Sequence, residues 1–149
     1  MIGELPSFQI DQILYAETFG RIGCHVRGKT YIIPMNYVYD GKHIYGHSTD
    51  GMKLEMMRMN AQVCFQVDQV RDPSHWYHVI VWGIFQELLG EEAAHALHML
   101  AQRLTTLIAS GQSIHEMRSV EASCDHAPYQ KITVYRIHLT KKTGQCEWP

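Results

Sequence analysis

The chain of 149 residues lacks a charge excess of either sign: 13 Lys and Arg stand against 15 Asp and Glu, a formal net charge of −2. The basic field that holds nucleic acid is therefore missing, and no nucleic-acid partner is expected. No run of about 20 apolar residues occurs, so no membrane-spanning helix is expected. The four cysteines, Cys24, Cys64, Cys124 and Cys146, include no CxxC pair. The first residues, MIGELPSFQIDQ, carry acids and no basic stretch of a secretion signal. Both features fit a cytoplasmic protein with reduced thiols. Internal repeats and low-complexity stretches are also missing.

What is present is apolar matter for one core. Apolar residues make up 46% of the chain and charged residues 19%, the reverse of a disordered composition. The length suits a single domain over 1–149. A helix is expected over 7–19, with Ser7 as N-cap, Ile10, Ile13 and Leu14 on one face, and Gly20 as the stop. Strands are expected over 21–26 and 30–39, turned at Arg27-Gly28-Lys29, and over 42–47 after an Asp40-Gly41 type I′ turn. A short helix follows over 51–59. Strands are then expected over 61–70, where Val63, Phe65 and Val67 share a face, and over 78–88, where Gly83 signals a bulge or a close backbone approach. The longest helix, about 91–108, carries Ala94, Leu97, Leu100, Ala101, Leu104, Leu107 and Ile108 at helical spacing. Residues 109–130 are polar and irregular, and a segment of that length is often functional. A last strand is expected over 132–139, then a tail. Six or so antiparallel strands that close to hide their edges predict a mainly β fold, a β-barrel with flanking helices. The segment 79–85 is apolar on both faces and needs cover from the long helix or from a second subunit.

The stretch YIIPMNYVYDGKHIYGHSTDGMK, residues 31–53, carries the chemistry. It reads as a hairpin that brings His47, Ser48 and Thr49 to the start of a helix. A helix N-terminus offers unpaired N–H groups and partial positive charge, and Lys53 adds a full one. That set fits a phosphate cradle, but on these residues alone an N-capped surface helix with a solvated lysine is the commoner arrangement. Pro34 within a strand fits either an edge position or a break at Pro34-Met35-Asn36 that frees backbone groups for a flat ligand.

The blocks Gly20-Arg21-Ile22-Gly23, YIIPMNYVYDGKHIYGHS, Gly51-x-Lys53-Leu54, NAQVCFQVD and VIVWG, with a weaker echo in VYRIHL and Thr143-Gly144, resemble the pyridoxamine-phosphate-oxidase-like flavin-binding proteins. Within them the chain is most similar to the subgroup that includes the nitroimidazole-resistance proteins. The resemblance implies an FMN-binding split β-barrel, and a homodimer with FMN at the subunit interface. It implies that Lys53 grips the FMN phosphate, with His47 and Ser48 beside the phosphate and ribityl chain. It implies that Pro34, Met35, Asn36 and Tyr37 run along the isoalloxazine ring, and that His78 reaches the flavin of the other subunit. Where the vitamin-forming oxidases carry an arginine before the phosphate lysine, this chain has Met52. Where they have an Arg-x-x-x-x-Lys strand, it has Tyr31 to Asn36. These departures argue against pyridoxamine phosphate as substrate, and Arg21 or Arg58 is left to compensate.

The expected activity is an FMN-dependent reduction of a small organic acceptor, nitroaromatic-like, with His47 as the catalytic proton source. A flavin carrier or redox sensor without turnover, and a haem-binding barrel, stay open as alternatives. No metal site is expected. His43 and His47 on one strand would lie about 13 Å apart. His95 with His98 reads as a surface pair, and Cys124-Asp125-His126 as a weak signal in a loop. Cys64 in its apolar strand reads as inert packing.

Overall fold

The structure, a computed structural model, describes residues 1–109 and 131–148. Residues 110–130 of the polar segment, with Cys124 and His126, lie outside the described residues. In chain order the elements are β1 (Ile2–Glu4), α1 (Ser7–Ala16), β2 (Phe19–Val26), β3 (Lys29–Asn36), β4 (Val38–Tyr39), β5 (His43–Thr49), α2 (Met52–Met59), β6 (Gln62–Asp72), β7 (His75–Glu87), α3 (Gly90–Ala109) and β8 (Ile132–Glu147). Every strand pairing is antiparallel. The eight-stranded sheet runs β3-β2-β6-β7-β8-β5-β4, with β1 added along β8. No ladder joins β3 to β4, the two ends of that path. Tyr37 alone separates them in sequence, and its N–H donates to Thr18 O at 3.0 Å. The barrel is split at this bend.

The core follows from strand alternation. Ile22 and Cys24 of β2, Val63, Phe65 and Val67 of β6, Val79 and Val81 of β7, and Tyr135 and Ile137 of β8 point inward and are buried. Helix α1 closes one end with Ile10 and Leu14, each worth roughly 1.5–3 kcal/mol when fully buried. Tyr37 ties that end together. Its ring meets Phe65 edge-on at 4.8 Å, and its hydroxyl donates to Leu14 O at 2.9 Å. Arg103 of α3 satisfies the end of α1 by donating to Tyr15 O and Ala16 O, where a cation also suits the helix dipole.

Several expectations need correction. Helix α1 starts from Pro6 as N-cap and ends at Ala16, so Ser7 is its first residue and Gly20 belongs to β2. A side chain at Gly20 would collide with the Phe65 ring, which explains the glycine there. The two-residue turn of positive φ is Arg27-Gly28. At Asp40-Gly41 only the glycine has positive φ. A longer loop forms instead, because the Asp40 carboxylate accepts the N–H groups of Lys42 and His43. Strand β3 continues through Pro34, which pairs with Arg21 on an edge strand where a missing N–H is tolerated. The break falls at Tyr37. Strand β8 runs to Glu147, so the expected tail is half of the longest strand.

Gly83 meets both readings. The β7–β8 register shifts beside it, and a Cβ there would sit 2.4 Å from His138 O. Helix α3 covers β5 and β8, not 79–85. It packs Ala93, Ala96 and Met99 on Tyr45, Leu88 and Val134, while Leu97 and Leu104 of the expected apolar face remain exposed. Small residues let the helix approach the sheet, and this displaces its contact face from the leucine stripe. Among the described residues nothing covers the outer face of β7 around Trp82 and Ile84. Trp82 and Ile84 are exposed there, and with Ile32, Cys64 and Gly23 they line a groove of about 570 Å³. Cys64 is thus a groove residue, not core packing. Among the described residues Cys24, Cys64 and Cys146 are free thiols, and no helix is long and apolar enough to cross a membrane.

Candidate functional site

Strand β5 hands over to α2 through Asp50 and Gly51. Gly51 caps α2 without any side-chain hydrogen bond, so among the described residues the first amides of the helix keep free donors. Lys53 and Glu55 both sit in the first turn. The Lys53 side chain is half-buried and folds over Tyr135, its Nζ 5.7 Å from the ring centroid. Among the described residues no carboxylate forms a salt bridge with it. Burial pushes its pKa below the usual lysine value, with the nearby Cys24 thiol pulling the other way. A cation partly withdrawn from water without a partner is costly. An arriving anion would offset that cost.

The floor beneath Lys53 is built by pairs that the sequence does not place together. Tyr135 is fully buried against Phe85, and its hydroxyl donates to Met35 Sδ at 3.4 Å. Gly46 makes room for both: a Cβ there would lie 2.5 Å from Met35 Cε and 3.0 Å from the Tyr135 hydroxyl. Beside it, Ser48 pairs across strands with Thr133. The Ser48 hydroxyl donates to Thr49 O. Thr133 Oγ1 is buried and among the described residues has no hydrogen-bond partner, an unusual state for such an atom. The sequence reading missed Tyr135, Thr133 and Gly46. The signal available was the echo in VYRIHL, and it becomes informative only once β8 is laid against β5.

Of the residues expected at the site, Met35 and Lys53 meet at Tyr135, and Ser48 lies further along β5, against Thr133. His47 is exposed and points to the other face of β5, opposite Val134. It still feels Lys53: surrounding protein, and then the lysine charge, hold its pKa below 6.5. Pro34 and Asn36 lie exposed on the β3 edge, whereas Tyr37 is buried at the α1 end. His78 is set apart. It stacks on Trp76 on the outer side of β7, rings 5.5 Å apart and nearly parallel, beside Lys142 and Gln145. Arg21 and Arg58 are not spare cations. Arg21 pairs with Asp68 at 2.9 Å, and Arg58 holds Glu87 through two hydrogen bonds.

Fold and site together define a split β-barrel protein with a cationic corner at the junction of β5 and α2. A pyridoxamine 5'-phosphate oxidase family model matches residues 7–145, and the chain belongs to that family. Protein RA0666 of Rhizobium meliloti is 30% identical over 83 residues, which is 56% of this chain and 55% of that protein; the match spans just over half of the curated relative. Among solved structures, a FAD-binding protein from Mesorhizobium loti superposes with a TM-score of 0.72 at 27% identity, covering 100% of this chain and 98% of that one. A candidate 5-nitroimidazole antibiotic resistance protein from Bacteroides thetaiotaomicron gives 0.70 at 19% identity, covering 98% and 87%. The FAD-binding protein from Mycobacterium smegmatis gives 0.63 at 20%, covering 97% and 98%.

Proposed function

We propose that this chain binds a flavin, FMN, with the phosphate at Lys53, and uses it to reduce a small, flat organic acceptor of the nitroaromatic type. The observation that carries the reading is the half-buried Lys53 ammonium, which among the described residues has no carboxylate partner. The residues present fit a phosphate monoester: a cation, uncapped helix amides, and the hydroxyls of Ser48 and Thr133 on adjacent strands. The likeness to a FAD-binding protein from Mesorhizobium loti supports a flavin as the ligand.

A bound flavin supplies hydride and electron transfer. The chain's own part is to hold and orient it. Lys53 and the α2 amides neutralise the phosphate. The exposed edge of β3, at Pro34 and Asn36, offers backbone groups to the ring, with Met35 and Tyr37 anchoring that strand in the core. His47, kept neutral by its surroundings near pH 7, is the candidate to hold or pass a proton. His78, remote from Lys53 within one chain, would serve the site of a second copy, so the reading includes a homodimer.

The test is an absorption spectrum of the purified protein, followed by chromatography of the released chromophore. Flavin bands with FMN released support the proposal. Released FAD keeps the flavin and moves the phosphate assignment. A colourless protein that takes up no added FMN refutes it.

A further inference from the structure

His43 of β5 and His138 of β8 form a directly opposed cross-strand pair. Their rings tilt toward each other at 5.1 Å, and His43 Nε2 lies 3.2 Å from His138 Nδ1. The far nitrogen of His43, Nδ1, lies 3.2 Å from Asp40 Oδ2. Asp40 is itself fixed by the N–H groups of Lys42 and His43 and by the Tyr45 hydroxyl. We propose that His43 Nε2 and His138 Nδ1 are two ligands of a divalent transition-metal site, with Asp40 as the carboxylate that orients His43.

Three features point this way. Two imidazole nitrogens on one tetrahedral ion, at metal–nitrogen bonds of about 2.0–2.1 Å, stand roughly 3.3 Å apart, and the pair already has that spacing. A carboxylate on the second nitrogen of a ligating histidine fixes the tautomer that leaves the first nitrogen's lone pair free. Neutral imidazole suits zinc, nickel and copper over calcium or magnesium. Asp40 is not a third ligand, and among the described residues no group of three or more metal-binding side chains gathers. The ion would keep open positions. The sequence excluded His43 with His47 on one strand; the usable partner stands on the strand beside it. The site shares no residue with the Lys53 corner, so its failure leaves the flavin reading intact.

The test is a calorimetric titration of the full chain with Zn²⁺ in a non-chelating buffer, at a pH where imidazole is neutral. The expected result is one saturable site per chain, weakened at least tenfold in His138→Ala and in His43→Ala, and about 10-fold in Asp40→Asn. His95→Ala leaves it unchanged. His138 is exposed, so its variant keeps the fold, which circular dichroism verifies. Anomalous scattering at the zinc edge from a soaked crystal should peak between the two nitrogens. Zinc affinity unaltered in His138→Ala, no saturable binding, or a peak elsewhere overturns the proposal.

Discussion

The Lys53 ammonium lies 5.7 Å from the centroid of the Tyr135 ring, a cation set over a buried aromatic floor with no carboxylate among the described residues at its head. The aromatic face offsets part of the charge. The remainder is an attraction for an anion, and the chemistry proposed for the chain follows from it.

The charge of Lys53 reaches His47. Crowding by protein, and then Lys53, hold the imidazole below 6.5. Removing the lysine charge favours the protonated ring, so Lys53→Met raises the His47 pKa. Titration of the histidine ring resonances by NMR checks this. A His47 midpoint unmoved in the variant means the two groups are not coupled.

Asp11 links α1 to the barrel through Lys142 at 2.6 Å and the Tyr39 hydroxyl at 2.7 Å. Burial raises its pKa, but the hydrogen bonds from Lys142 and Tyr39 outweigh that and hold it below 3.8. A carboxylate depressed in the folded state contributes stability above its unfolded pKa and loses it as pH falls through the folded one. The contribution is therefore complete above about pH 4–5 and fades in stronger acid. In Asp11→Asn the stability is lower at neutral pH and the acid limb is shallower. Urea melts between pH 2 and 7 read both effects.

Glycine requirements differ by what a methyl would meet. At Gly83 the obstacle is the His138 backbone, 2.4 Å away, which cannot move without disturbing the β7–β8 ladder. Gly83→Ala is expected to cost about 1–3 kcal/mol. Gly3→Ala meets nothing within 4 Å and should be close to neutral. Urea denaturation of the two variants separates them, and equal stabilities would discount the close approach.

What was legible in the sequence follows the range of the interactions involved. The inward run Val63, Phe65, Val67, the irregularity at Gly83 and the Lys53 helix start are local patterns, and each appears where its residues predict. The family resemblance rests on the same local blocks. The floor of the site does not. Tyr135 reaches Met35 and Gly46 only because β8 pairs with β5, and no periodicity within either strand encodes that pairing. The Asp40-Gly41 turn misled because the Asp40 side chain, not the backbone alone, sets its geometry. Helix α3 misled because alanines, rather than its leucines, allow the closest approach to the sheet.

The central claim is that Lys53 holds the flavin phosphate, and FMN affinity measured by quenching of flavin fluorescence in Lys53→Met tests it most directly. Loss of a hydrogen bond to a charged group corresponds to about 1.5–3 kcal/mol, roughly a 10- to 100-fold weaker complex. Because a half-buried ammonium is a burden in the empty protein, the flavin-free variant should melt no lower than the parent. Weaker FMN binding with undiminished stability is the predicted result; FMN affinity equal to that of the parent chain would contradict it.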